Sequence, residues 1–376
     1  MELSTFTYTP ARGWSTPLPA MDSEQTLVLT FAAPEYMEHT QPFGELARMY
    51  PRSHMIGCST AGEISDRFLH DESLSVAVVK FAHSQLAVAS TEITEADSRA
   101  AGERLARQLN APGLRAVFVL AEGLDVNGSE LVAGICAGLP RGVVVTGGLA
   151  GDGARFKGTW VLANAVPRDR TLVAVGLYGE RLRIGYGTAG GWQGFGPERR
   201  ITRARGNVLY ELDHRPALAL YKEYLGEQAA RLPGSALNFP LSIREPERGS
   251  EQLVRCIAAV DEAEQSITFA GDMPLGNLAQ LMRADHESLI AGAARATAVA
   301  AEAATHHPLL ALTVSCAGRR EVLGERVEEE LDAVVDMLPE GAVNLGFYAY
   351  GEIAPYSDRA CDLHNQTITM TTLAEV

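Results

Sequence analysis

Two runs of mostly apolar residues, Thr26-Leu27-Val28-Leu29-Thr30-Phe31 and Leu74 to Phe81, flank the segment Gly57-Cys58-Ser59-Thr60-Ala61-Gly62-Glu63-Ile64. Short apolar runs of this kind read as strands buried on both faces. The segment between them carries one thiol, two hydroxyls and one carboxylate on otherwise small residues. Small residues at a strand end let backbone N–H and C=O groups approach a ligand, because no side chain holds it away. The segment therefore reads as the floor of a pocket.

Strand and helix signals alternate along the rest of the chain. Residues 1–25 are turn-rich and read as an extended arm. Asp97 or Ser98 can cap a helix with Ala101, Leu105 and Leu109 on one face, and Ala116 to Leu120 follows as a strand. Asn127 with Glu130 forms a capping box for a helix carrying Leu131 and Ile135. Four strand-like runs then follow closely, at 143–145, 159–165, 171–177 and 182–186, and such spacing predicts an antiparallel meander. A strand over Arg199 to Arg205 and a helix from Ala217 to Leu225 lead to 226–250, whose Gly, Pro and charge mark a junction. Beyond it, Asp285 caps an Ala-rich helix reaching about Thr305. A stripe of Val327, Leu331, Val334, Val335 and Leu338 marks another helix, with Glu328, Glu329 and Glu330 as its solvated face. These signals predict an α+β protein with two lobes of mixed, largely antiparallel β-sheet covered by helices. The arm covers 1–25 and the lobes 26–225 and 226–376. No tandem repeat is evident, although Ala61-Gly62-Glu63-Ile64 echoes Tyr350-Gly351-Glu352-Ile353.

Charge and cysteine content narrow the function. A net charge of −15 opposes nucleic-acid binding, which needs a basic footprint. Five scattered cysteines without a Cys-x-x-Cys pair fit a reducing cytoplasm and speak against structural zinc. No leader peptide and no membrane span are visible, so a cytoplasmic location is expected.

Several further turns repeat the pattern of the first one. They are Thr146 to Gly153 (with Gly148 and Asp152), Gly271 to Gly276, Ser315 to Arg320, Tyr348 to Ile353, and Cys361 to Thr367. Small-residue turns with sparse polar groups suit an organic-ligand pocket, whereas each alone reads equally as a chain reversal. Enzyme readings are weaker. Cys58, His364 and Glu352 could compose a nucleophile, base and orienter, but no hydrolase signature surrounds Cys58. A phosphate-binding loop is absent, and strands rather than a helix follow Gly147 to Gly153, which opposes a dinucleotide loop.

Taken together, Ile56 to Ile64, Gly346-Phe347-Tyr348-Ala349-Tyr350-Gly351-Glu352-Ile353 and His364-Asn365-Gln366-Thr367 resemble the signatures of FIST domains, over about residues 25 to 373. The resemblance implies a sensory module of bacterial signal transduction that binds small ligands such as amino acids. With no output domain after the last motif, it implies a stand-alone receptor that passes its state to a separate partner such as a histidine kinase. A homo-oligomer is compatible with this reading. Gly13 to Pro19 and Gly190 to Arg199 further resemble a branch that includes haem-binding nitric-oxide sensors, the NosP group. In that version haem b would be held non-covalently, with His364 the candidate axial ligand among nine histidines.

The expected pocket lies where the two halves meet. Cys58, Ser59, Thr60, Gly62 and Glu63 would line it from one side, with Gly148 and Asp152 beside them. Arg319, Tyr350, Glu352, His364 and Asn365 are the counterparts from the other half. For an amino-acid ligand, Glu63 or Glu352 would hold the ammonium and Arg319 or backbone N–H groups the carboxylate.

Overall fold

The apolar runs become strands, and most pair with segments far away in sequence. The computed structural model describes residues 1–232, 234–247, 252–303, 306–356 and 359–376. Two lobes are present, both α+β. The larger lobe holds three mixed sheets, and the smaller is built on one antiparallel sheet spanning Gln193 to Arg283.

The three sheets of the large lobe share one plan. Each has a parallel central pair: Thr26–Ala32 with His54–Ser59, Leu114–Ala121 with Val144–Leu149, and Leu310–Cys316 with Val343–Ala349. On one side of each pair an antiparallel strand joins, Leu74–Lys80, Thr171–Tyr178 or Ile368–Glu375. An outer strand then follows, Glu2–Thr9, Gln85–Glu92 or Leu182–Ala189. The chain therefore contains three structural repeats, of which the Gly-Glu-Ile echo is one trace.

The other edge of each sheet is closed by a hairpin borrowed from a different repeat. The first repeat's hairpin, Glu63–Ser65 and Phe68–His70, pairs with Val343–Ala349 of the third. The second repeat's hairpin, Val161–Ala163 and Val166–Arg168, pairs with His54–Ser59 of the first. The third's, Gly351–Tyr356 and Arg359–His364, pairs with Val144–Leu149 of the second. This exchange overturns the expected meander. The four closely spaced runs after residue 143 go to three different sheets, because each hairpin crosses to a neighbouring repeat.

Steric detail repeats with the topology. Gly57, Gly147 and Gly346 face Thr30, Val119 and Thr313 across the parallel pairs, and a Cβ at any of the three would overlap the opposing carbonyl. Inner faces of all three sheets meet in one apolar core that includes Phe31, Cys58, Phe118, Val173, Val314 and Phe347. Helices cover the outer faces: Gln41–Met49 on the first sheet, Ser98–Leu109 and Gly128–Gly138 on the second, His286–Ala301 and Val327–Met337 on the third.

The caps behave as their chemistry predicts. Asn127 Oδ1 accepts from Glu130 N at 3.1 Å and Asp285 Oδ1 from Ser288 N at 2.7 Å. The Asp285 helix ends at Ala301, and Thr305 lies outside the described residues, as do 248–250 of the expected junction. Glu330 corrects the solvated reading of the acidic run, because its side chain is wholly buried while Glu328 and Glu329 stay exposed. Burial is possible because Glu330 is fully partnered. Arg319 Nε and Nη2 donate to its Oε1 at 2.8 and 2.6 Å, and Ser315 and Tyr348 hydroxyls donate to Oε2 at 3.0 and 2.8 Å.

Candidate functional site

Three of the turns singled out in the sequence, those around Ala61, Gly151 and Tyr350, meet in the large lobe. Ala61 N donates to Tyr348 O at 2.8 Å, Gly151 N to Ser59 O at 3.0 Å and Tyr350 N to Leu149 O at 3.1 Å. Most polar side chains there already have partners within the protein. Ser59 Oγ accepts from Trp160 N at 3.0 Å. Thr60 Oγ1 donates to Glu63 and accepts from Gly62 N. Asp152 accepts from Phe156, Lys157 and Gly158 N–H groups at 2.8 to 3.0 Å and from the Tyr350 hydroxyl, which orders the 153–158 loop. Gly148 packs inside, where a Cβ would press on Val314. Cys58 lies in the central apolar core, and burial pushes its thiol well up, which removes the nucleophile reading.

Glu63 and Glu352 are structural twins. Glu63 Oε2 accepts from Ser73 N and Oγ at 3.1 and 2.8 Å. Glu352 Oε2 accepts from Thr367 N and Oγ1 at 3.1 and 2.6 Å. Each carboxyl thereby fixes the start of its repeat's last strand. Burial pushes both up to about 8, against these hydrogen bonds, so at neutral pH both hold a proton. Across each hairpin stands a histidine, His70 opposite Glu63 and His364 opposite Glu352.

The sequence after those histidines matches as well: Leu69-His70-Asp71-Glu72-Ser73 against Leu363-His364-Asn365-Gln366-Thr367. Glu72 and Gln366, the fourth residues, both have positive φ, 54° and 58°. Their surroundings differ. Asp71 and Glu72 are exposed, and Asp71 pairs with Arg320 at 2.7 Å. Asn365 and Gln366 are fully buried, and amides replace carboxylates where water is excluded.

The small lobe encloses this third corner. Arg255 Nη1 donates to Leu363 O at 3.0 Å, and Gln366 Nε2 to Leu237 O at 3.0 Å, with Cys256 Sγ at 3.8 Å. Four buried polar atoms nevertheless lack any hydrogen bond: Glu352 Oε1, Asn365 Oδ1 and Nδ2, and Gln366 Oε1. The Cys316 thiol gives Glu352 weak support. Buried polar atoms are paired in the great majority of cases, so four orphans on one turn and its neighbour set this corner apart. A groove of about 440 Å³ is lined by Trp192, Gln193, Asp285, Ser288 and Arg295 among others. Its Trp192 donates the indole N–H to Gln366 O at 2.7 Å.

Residues 26–215 match the FIST N domain, and residues 217–355 match the FIST C domain. The chain belongs to the FIST family. FIST domains are in general non-catalytic sensory modules of signal transduction, and among the described residues no group of three His, Cys, Asp or Glu could hold a metal ion. No helix of the described residues is long and apolar enough to cross a membrane. An uncharacterized protein of Methanocaldococcus jannaschii is 25% identical over 282 residues, covering 66% of this chain and 52% of that protein. The FIST chain thus spans about half the length of the curated relative it matches.

Arg319 is held by Glu330 and by the carbonyls of Gly190 and Leu289. The FIST corner therefore brings Glu352, His364 and Asn365 together with Gln366, Cys256 and Cys316, which stood outside the expected set. Gln366 could have been found from the repeated Leu-His-acid/amide pattern. The two cysteines carried no such signal. The His364 ring is buried, its Nε2 lies 3.2 Å from Ala354 O, and burial pushes it down to about 4.

Proposed function

We propose that the chain is a small-ligand receptor, and that the ligand is a protonated amine with a neighbouring oxygen, such as an amino acid, bound at the Glu352–Asn365–Gln366 corner. The observation that carries this reading is the set of four orphaned buried atoms. Three of them accept hydrogen bonds, matching the three N–H donors of an ammonium, and Asn365 Nδ2 is a donor for a carboxylate or carbonyl oxygen. Ligand charge would draw the proton from Glu352 and restore a paired carboxylate. The groove lined by Trp192 is tied to this corner through the indole bond to Gln366 O. Of the pocket expected from sequence, this reading keeps Glu352, His364 and Asn365, and treats Cys58, Ser59, Thr60, Gly62, Glu63, Gly148, Asp152, Arg319 and Tyr350 as its frame. Ligand state would pass to a separate signalling protein, such as a histidine kinase, through the contact between the two lobes.

Thermal denaturation with amino acids and simple amines at about 10 mM, against the same acids without the amine, tests this. An amine should raise the melting temperature, and Glu352→Gln and Asn365→Leu should each weaken its binding by roughly 10- to 100-fold, the value of a charge-assisted hydrogen bond. Equal binding by both variants, or a Soret band from haem retained at near-equal stoichiometry, would overturn the assignment.

A further inference from the structure

The hairpin that carries Glu352 and His364 is touched by a second feature that the receptor reading leaves unused. Cys136 lies on the helix Gly128–Gly138 of the second repeat, and Cys361 on the strand Arg359–His364 of the third. Their Sγ atoms are 2.8 Å apart, and Cys136 Sγ also lies 3.7 Å from Cys361 O. Two unbonded sulfurs rarely approach so closely, and here they belong to segments separated by more than half of the chain. Cys361 is buried, whereas Cys136 is half-buried. The other three cysteines are not paired with one another, and Cys58 and Cys316 are buried in strands.

We infer that Cys136 and Cys361 form a reversible disulfide, made by exchange with a low-molecular-weight disulfide of the glutathione class, that pins the Glu352 hairpin to the helix of the neighbouring repeat. The exchange balances in two steps. The Cys136 thiolate attacks one sulfur of the small disulfide, forming a mixed disulfide and expelling one small thiolate. The Cys361 sulfur then attacks Cys136 Sγ, its proton passing to the second small thiolate as that leaves. Two protein thiols are oxidised to one disulfide, and one small disulfide is reduced to two small thiols. Helix and strand are already in contact around Leu363, which packs against Gly128.

The consequence is local. In the reduced state the hairpin is held to the helix by non-covalent contacts. Once oxidised it is tied covalently, three residues from His364. The reading does not depend on what ligand the corner takes, because the bond and its effect on the hairpin are measurable without any ligand.

The test uses the intact native chain with about 5 mM oxidised glutathione at neutral pH, followed by thiol counting and peptide mass mapping. Of five thiols, three should remain, with a peptide cross-link joining Cys136 to Cys361 and reversal by dithiothreitol. Amide hydrogen exchange over Gly351–Tyr356 and Cys361–His364 should slow at least about fivefold in the oxidised protein. Cys361→Ser should leave a glutathione adduct on Cys136 and no cross-link, and Cys136→Ser should leave all four remaining thiols unmodified. Retention of five thiols by native wild-type protein, a stable adduct on wild-type Cys136, or a cross-link to another cysteine would each overturn the inference. A cross-link without slower exchange would overturn the pinning.

Discussion

Replacing Glu352 by Gln should remove one proton's worth of pH dependence from the stability of the chain. Glu352 is pushed from an ordinary 4.5 to about 8 in the folded state, and Glu63 is pushed equally far. A carboxyl whose folded value is raised binds its proton in the native state while the unfolded chain has released it. Its stabilisation is complete below the unfolded value and is lost as pH rises towards the folded one. Each such group therefore lowers stability by about 1.4 kcal/mol per pH unit, and the twins together by about 2.8 kcal/mol. His54 and His364, held down by burial, work in the opposite sense, and Glu122, pushed up by burial, in the same sense, but all three act alike in wild type and variants. Urea denaturation followed by tryptophan fluorescence between about pH 6.5 and 7.5 therefore reads Glu352 as the difference between wild-type and variant slopes. Glu352→Gln should lose about 1.4 kcal/mol per pH unit of the wild-type slope, because its amide can still accept from Thr367 without titrating. Glu63→Gln should match it, and the double variant should lose about twice as much. Parallel lines for wild type and Glu352→Gln would refute the neutral buried carboxyl.

Arg319→Ala should destabilise the chain by about 3–5 kcal/mol, because it strands Glu330 wholly buried, whereas replacing both by apolar residues of similar volume should restore much of that loss in the same denaturation assay. Gly346→Ala should cost about 3 kcal/mol or more, since its Cβ would overlap Thr313 O, and Gly57→Ala and Gly147→Ala should behave alike because they occupy the equivalent place.

Local order was largely legible in the sequence, and its assembly was not. The strand Thr26–Ala32, the capped helix at Asn127 and the stripe from Val327 to Val335 follow from periodicity and capping chemistry, which act over a few residues. Strand Glu63–Ser65 pairs with Val343–Ala349, and no short-range pattern in either announces the other. The threefold plan was hidden for a related reason. In the second repeat Val161 stands where the first and third have Glu63 and Glu352, so only two of three copies still resemble each other. Glu330 misled because a helix face is wet or dry according to what packs on it, and Arg319 lies 11 positions upstream in another helix. For the site, His364 and Asn365 were identifiable as residue types able to bind a ligand. Their burial was not, since it depends on the small lobe closing over them through Arg255 and Leu237.

The exchanged hairpins have a mechanical consequence. Each repeat lends an arm to another, first to third, third to second and second to first, so the large lobe is a closed circle of three handclasps. In such a circle no repeat can shift alone. A movement of the hairpin bearing Glu352 pulls on the sheet of the second repeat, whose own arm lies on the first, whose arm returns to the third. Were a ligand to bind at the Glu352 corner, its effect would thereby reach the other two, which among the described residues hold no comparable set of unpaired groups. Under the proposed reading, three joined copies would devote a single corner to the ligand and keep the other two as the levers that feel it.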